Sequence, residues 1–159
     1  MRQRTTSVLR PVAGAIVGIA LVGCGGGGHK AATTTTASTP AAERAAVASV
    51  WTRFFAGSTP AAQKVALLEN GRAFAKAIQA QASSPLAKGS SAKVNRVTLL
   101  GPAKASVVYT IDLGGKPALE NQRGIAVKVG GAWKVGAASF CVLLRLQGNA
   151  PKACSGASS

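Results

Sequence analysis

The sequence is poor in the side chains from which metal sites and acid–base catalysts are built. Its 159 residues include one histidine and four carboxylates. The histidine, His29, lies in a glycine-rich stretch, so a Ser-His-Asp or Cys-His arrangement has no histidine within the region that hydrophobic periodicity predicts to fold. We therefore expect no metal site, no cofactor and no enzymatic activity.

Other scarcities narrow the class of protein. Three cysteines exclude a disulfide-dense scaffold, and the residue usage excludes collagen-like and coiled-coil chains. The apolar run at residues 11–22 is twelve residues long. As a helix it would rise about 18 Å, which is short of a hydrocarbon core of ~30 Å. We therefore do not expect a transmembrane helix there.

The N-terminus instead has the order of an export signal. Arg2, Arg4 and Arg10 precede the apolar run, which ends in the motif LVGC at residues 21–24. Positive residues before a short apolar segment are typical of a signal peptide, and the motif matches the bacterial lipobox. The pattern predicts a lipoprotein signal peptide at residues 1–23; an ordinary signal peptide with an incidental cysteine is the alternative.

Cys24 is the predicted lipidation site, because its thiol would take the diacylglyceryl group and two acyl chains hold a protein stably on a membrane. The lipidated cysteine begins a glycine- and threonine-rich stretch, residues 24–40. This composition predicts a flexible tether with an end-to-end distance of roughly 22 Å. We expect a protein lipid-anchored to the extracytoplasmic face of the cell membrane, with one folded domain at residues 41–159.

The front half of this domain is predicted to be helical. Thr39-Pro40 and Thr59-Pro60 each place a capping hydroxyl before a proline, which favours a helix start. After the first start, the apolar residues at positions 47, 50, 51 and 54 form a single helical stripe. The second helix is expected to break near Asn70-Gly71, and a third to run to about Ala82.

The back half changes to a period of two, which predicts strands. We expect strands at residues 94–100 and 105–113, a long loop at 114–122, and a third strand around residues 125–129. Gly130-Gly131 is typical of a two-residue hairpin turn. A fourth strand is then expected from Trp133 to about Leu146.

Helices followed by a sequential antiparallel sheet predict an α+β domain, with N-terminal helices packed on a curved four-stranded antiparallel sheet. Cys141 and Cys154 remain after lipidation of the first cysteine. In an exported chain such a pair predicts a disulfide. It would close a 14-residue loop and add about 3 kcal/mol of stability. Two free thiols or a redox pair are the alternatives, although no CxxC spacing supports redox chemistry.

Several motifs resemble the actinobacterial low-molecular-weight secreted antigen family. They are Trp51-x-x-Phe54-Phe55-x-x-Ser58-x-Pro60, Leu67-Leu68-Glu69-Asn70-Gly71, Gly131-Ala132-Trp133-Lys134-Val135, Ser139-Phe140-Cys141-x-Leu143-Leu144 and Pro151-x-x-Cys154. The resemblance covers about residues 42–154. It implies a cone-shaped domain similar to the superfamily of nuclear transport factor 2 and ketosteroid isomerase, with an apolar cavity between sheet and helices. It implies export and no established enzymatic activity.

Within such a cone, four aromatic residues are candidates for contact with a small apolar ligand. They are Trp51, Phe54, Tyr109 and Trp133. The alternative is that they are ordinary core residues. An isomerase-like reaction would combine Tyr109 with a carboxylate, Asp112 or Glu69. The alternation of a strand places Asp112 on the opposite face from Tyr109. Glu69 lies at a helix end, where carboxylates are commonly solvated. We therefore expect no catalytic residues.

The basic charge indicates anionic partners. Removing the three arginines of the signal from 19 cations leaves 16 against 4 carboxylates, a net charge of +12. The cations are scattered and lack interleaved aromatic residues, so no nucleic acid partner is expected. An exported protein of this charge would attract anionic lipid headgroups or acidic envelope polymers. Arg72 with Lys76, one turn apart, and Lys128 with Lys134, across the hairpin, are candidate seeds of a basic patch.

These observations predict a cell-surface lipoprotein with a non-catalytic binding or accessory role. One hypothesis is a small-molecule or lipid binder that uses the cavity. The second is an interaction module that docks a protein or an anionic envelope component by charge. An isomerase-like or lyase-like enzyme is the third and has the least support.

Overall fold

The first helix begins where the sequence predicts. The computed structural model describes residues 38–148 and 150–157, so the predicted signal peptide, Cys24 and residues 25–37 of the tether lie outside the described residues. Helix α1 spans Pro40–Phe55. The hydroxyl of Thr39 accepts a hydrogen bond from the backbone N–H of Ala42 at 3.2 Å, which satisfies one of the unpaired donors at the helix start.

Three shorter helices follow α1. Helix α2 spans Ala61–Leu67, α3 spans Ala75–Ala82 and α4 spans Pro85–Lys88. A 3₁₀ turn at Gly71–Phe74 separates α2 from α3, close to the predicted break. None of the helices in the described residues is long and apolar enough to span a membrane.

Four strands form one curled antiparallel sheet in sequence order. They are β1 Ser90–Leu99, β2 Lys104–Leu113, β3 Lys116–Val129 and β4 Ala132–Val135. The hairpin between β3 and β4 turns at Gly130 and Gly131, whose φ angles of 59° and 80° are the positive values that a type I′ turn requires. The predicted α+β arrangement, with helices followed by a cone-like four-stranded sheet, is confirmed.

The prediction of a long loop at residues 114–122 is wrong. Strands β2 and β3 are joined by a second two-residue turn at Gly114 and Gly115, with φ angles of 59° and 79°. Strand β3 therefore begins at Lys116. Asn121 has a φ of 52°, and the pairing with β2 shifts register nearby. This bulge interrupts the alternation of side chains, which is why the pattern does not indicate a strand there.

The predicted fourth strand is too long. Strand β4 ends at Val135, and residues Ala137–Leu146 form helix α5. Seven of the ten side chains of this helix are buried, at both odd- and even-numbered positions. This is expected for a helix enclosed by the core. A short apolar run buried on all sides has no periodicity that separates helix from strand.

Helix α1 lies against the concave face of the sheet, and α5 closes the space beside β3. Gly124 on β3 lets these parts approach, since a Cβ there would lie 2.6 Å from Cζ2 of Trp51 and 3.1 Å from Oγ of Ser139. Ser139 Oγ also accepts a hydrogen bond from the N–H of Ile125 at 2.7 Å. The core is thus built from α1, α5 and the inner face of β1–β4.

Candidate functional site

The four aromatic candidates are all buried, with exposed fractions of 7% or less. Trp51 and Phe54 lie on α1, Tyr109 on β2 and Trp133 on β4. The structure brings three of them into one packed group and leaves Trp133 in a separate one. The two groups have different surroundings.

The first group is an aromatic cluster of Trp51, Phe54, Phe55, Tyr109 and Phe140. Its ring centroids are 5.1 Å apart for Trp51 and Tyr109, 5.5 Å for the stacked Phe55 and Tyr109, and 5.3 Å for Phe54 and Phe140. These spacings are those of directly packed rings. The chain's own side chains therefore fill the space between α1 and the inner face of the sheet.

Two polar atoms belong to this cluster. Burial raises the pKa of the Tyr109 hydroxyl to about 12, because a low-dielectric surrounding disfavours the phenolate. The indole Nε1 of Trp51 is buried, and it has no hydrogen-bond partner within the described part of the chain. A buried donor without a partner costs stability, so this atom needs an explanation.

Trp133 belongs to a polar group, which we call the clasp, with Glu43 and Lys128. The Glu43 carboxylate accepts hydrogen bonds from Trp133 Nε1 and, at 2.7 Å, from Lys128 Nζ. The Lys128 ammonium also lies 5.5 Å from the centre of the Trp133 ring. The hydrogen bond from Lys128 lowers the pKa of Glu43, and that from Trp133 adds to the effect. The clasp joins the start of α1 to the β3–β4 hairpin.

Sequence reasoning missed Glu43. Its position in the first turn of α1 favours a carboxylate because of the helix dipole, and this was the only local signal. The partners lie 85 and 90 positions away. The prediction that Lys128 and Lys134 face each other is wrong: Lys128 pairs with Trp133, and Lys134 pairs with Val127.

The clasp borders a cleft of about 280 Å³. It is lined by Ser38, Pro40, Glu43, Leu99, Gly101, Pro102, Lys128 and Trp133. The lining shows that the start of α1 lies beside the β1–β2 turn and the β3–β4 hairpin. Trp133 is thus the one aromatic candidate that lines either of the two clefts described here.

The second cleft, of about 370 Å³, lies at the start of α5 and includes Glu69 in its lining. The Glu69 carboxylate accepts a hydrogen bond from the N–H of Ala137 at 2.9 Å, and its own N–H donates to the carbonyl of Val135 at 2.9 Å. A carboxylate at a helix N-terminus pairs a free N–H and interacts favourably with the dipole. Glu69 therefore caps α5.

The structure does not bring the isomerase-like candidates together. Tyr109 points into the core, whereas Asp112 follows three residues later on the opposite parity of β2 and is half-buried. Glu69 is engaged at the start of α5. Among the described residues, no group of three His, Cys, Asp or Glu side chains is placed to hold a metal ion.

The predicted disulfide is confirmed between Cys141 and Cys154, with Cα atoms 5.5 Å apart. It joins α5, rather than a strand, to a 3₁₀ turn at Lys152–Gly156. Arg145 adds a second link, because its guanidinium donates to the carbonyl of Cys154 at 3.1 Å. The tail after α5 is therefore held to that helix by a covalent and a polar contact.

The outer face of the sheet, which points away from α1, carries two rows of side chains with a cation at each end. The rows are Arg96, Val108 and Arg123, and Lys104, Val127 and Lys134. Neighbouring strands lie about 4.8 Å apart, so the two cations of each row are roughly 10 Å apart. Arg72 and Lys76, the other predicted basic pair, lie on the 3₁₀ turn and α3.

Comparison with known proteins gives a family and no individual relative. Residues 38–151 match the family model described as low molecular weight antigen MTB12, C-terminal domain. Neither the curated proteins nor the solved structures contain a match to this chain.

Proposed function

The chain belongs to the family of the low molecular weight antigen MTB12, C-terminal domain, and from this premise we propose that it is a lipid-anchored envelope protein with a non-catalytic interaction domain. One observation carries the proposal. The aromatic cluster occupies the interior of the cone, with Trp51 and Tyr109 in direct contact at 5.1 Å. The surface is then the part of the domain that remains available to a partner.

The placement of the carboxylates also supports a non-catalytic role. Glu43 is held in the clasp, and Glu69 caps α5. Asp112 lies on the opposite strand parity to Tyr109. An acid–base mechanism needs a titratable group within hydrogen-bond reach of the reacting atoms, and none of these three lies in the aromatic interior.

The anchor rests on the N-terminal sequence. Three arginines, the short apolar run and the LVGC motif together support acylation of Cys24 and retention at the extracytoplasmic face of the membrane. The domain would then act as an accessory module that meets anionic components of the envelope through its basic surface. Its cone-like arrangement supports a place in the nuclear transport factor 2-like superfamily.

The anchor is tested on the full chain in an actinobacterial host fed an alkyne-tagged fatty acid. We expect the tag on the wild-type protein in the membrane fraction, and neither tag nor membrane retention for Cys24→Ala. His29→Ala is the matched control in the same N-terminal region and should keep both. An untagged wild-type protein in the soluble fraction would contradict the proposal.

The buried Nε1 of Trp51 favours a second candidate function, a binder of a small ligand that accepts a hydrogen bond. An unpaired buried donor is satisfied if a ligand enters beside it. Native mass spectrometry of the full chain after incubation with an envelope extract would detect such a ligand. An added mass that is lost in Trp51→Phe supports this function, and an unchanged protein mass speaks against it.

A further inference from the structure

One end of the sheet exposes apolar side chains in two adjacent turns. Leu100, in the β1–β2 turn, is 55% exposed, and Val129, the last residue of β3, is 47% exposed. The two turns are tied together, because the N–H of Lys128 donates to the carbonyl of Ala103 at 2.8 Å. We call this end, from Leu100 to Ala103 and from Val129 to Gly131, the sheet tip.

Two cations lie next to the sheet tip. Lys104 and Lys134 lie on the outer face one row from it, both paired with Val127 between them. Lys104 is exposed, whereas Lys134 is partly buried and donates to the carbonyl of Ala66 at 2.9 Å. The sheet tip therefore combines exposed apolar side chains with two neighbouring cations that form no ion pair among the described residues.

The described carboxylates add little free negative charge at the sheet tip. Asp112 and Glu120 lie near the Gly114–Gly115 turn, at the opposite end of the sheet. Glu43 is the carboxylate near the sheet tip, and it is paired with Lys128. Cations lie at both ends of the sheet, and among the described residues the sheet tip has no carboxylate outside the Glu43–Lys128 ion pair.

The chain also enters the domain at this end. Ser38 and Pro40 line the same cleft as Gly101 and Pro102 of the β1–β2 turn. Cys24 precedes Ser38 by fourteen positions, and fourteen residues span at most about 50 Å. An acyl group on Cys24 would therefore keep the sheet tip within reach of the membrane, and a contact of the sheet tip itself is needed to orient the domain.

We propose that the sheet tip docks on an anionic phospholipid surface and orients the domain on its membrane. The inference rests on the proposed function, since the anchor supplies the nearby membrane. An apolar contact flanked by cations matches a bilayer interface, where acyl chains and anionic headgroups lie side by side. A soluble acidic polymer would satisfy the lysines and leave Leu100 and Val129 without a partner.

The test uses the chain from residue 24 onward with Cys24→Ser, which has no acyl group, and flotation with vesicles. Vesicles of phosphatidylcholine are compared with vesicles that also contain one third phosphatidylglycerol. We expect binding to the anionic vesicles only. Each cation near an anionic surface increases the affinity about fivefold. The double variant Lys104→Gln with Lys134→Gln should therefore weaken vesicle binding about thirtyfold.

A second variant separates the apolar contact from the charge. Leu100→Ser with Val129→Ser changes two exposed side chains, and we expect it to abolish the part of the binding that survives high salt. Lys88→Gln with Lys116→Gln is the matched control, because it removes two exposed cations at the opposite end of the sheet. That control should weaken binding twofold or less.

The proposal is overturned if both vesicle types bind equally, if neither binds, or if the control pair weakens binding as much as the sheet-tip pair. It is also overturned if soluble polyglutamate binds the chain with the same dependence on Lys104 and Lys134 while the serine variant still binds vesicles normally. Because this chain is not acylated, a failure of docking is distinguished from a failure of the anchor at Cys24.

Discussion

The carboxylate of Glu43 lies 2.7 Å from the ammonium of Lys128 and joins the first turn of α1 to the end of β3. The two residues are 85 positions apart in the chain. The second carboxylate oxygen accepts from the indole N–H of Trp133. Glu43 is one of four acidic residues in the sequence. Its side chain therefore links the first helix to the last hairpin, close to the sheet tip.

Glu43→Gln should make the domain less stable at neutral pH and remove part of its acid sensitivity. The pKa of Glu43 in the folded protein is lowered from 4.5, so its charge stabilises the fold above pH 4.5. This contribution is lost as the pH falls through the lower, folded-state pKa. Urea unfolding from pH 7 to pH 3 should show a steeper acid loss for wild type than for Glu43→Gln.

Glu120→Gln is the control for this series. It removes an exposed carboxylate that forms no ion pair among the described residues, and its stability curve should follow wild type. Parallel curves for Glu43→Gln and wild type across the acid range would show that the clasp adds no electrostatic stability.

Gly124→Ala should destabilise the domain by about 1 to 3 kcal/mol, because it overpacks a filled core. The new Cβ would lie 2.6 Å from Cζ2 of Trp51, whose ring is enclosed by α1 and the sheet, and 3.1 Å from Oγ of Ser139. The free energy of unfolding in urea measures the loss. Gly89→Ala is the control, since its Cβ would meet nothing closer than 3.5 Å; an equal loss there would contradict the packing argument.

Cys141→Ser with Cys154→Ser should lower the free energy of unfolding by about 3 kcal/mol, as the chain-entropy estimate gives for a loop of this length. The disulfide joins α5 to the 3₁₀ turn that follows it, so its loss frees the tail. Thermal unfolding with and without a reductant measures the effect. A reductant should lower the melting temperature of wild type and leave the double variant unchanged; an equal shift in both would argue against a stabilising disulfide.

Local signals were sufficient for much of the fold. Thr39-Pro40 gives the start of α1 because both the hydroxyl cap and the fixed proline φ act within one turn. Gly130-Gly131 gives the β3–β4 hairpin because a type I′ turn needs two positive φ values. Such features depend on neighbours in sequence, and the structure agrees with them.

Features that depend on distant partners were not predictable in this way. Helix α5 was predicted as a strand, because its side chains are buried on nearly all sides by elements up to a hundred residues earlier, including Phe54. The alternation of β2 places Tyr109 on the same face as Val107 and Ile111, which the structure buries. The sequence could not show that Phe55 and Phe140 pack in the same cluster. The Glu43 contacts likewise require the folded chain.

Tyr109 should ionise near pH 12 instead of pH 10, and this is measurable directly because it is the sole tyrosine of the chain. Burial raises its folded-state pKa. The neutral phenol therefore contributes fully to the stability of the fold below pH 10, and this contribution is lost as the pH rises to 12. The loss of unfolding free energy is on the order of 3 kcal/mol. Absorbance at 295 nm follows the phenolate, and urea unfolding at each pH follows stability. Tyr109→Phe keeps the ring beside Phe55 and should lose less stability above pH 10; a midpoint at pH 10 in the folded protein would contradict its burial.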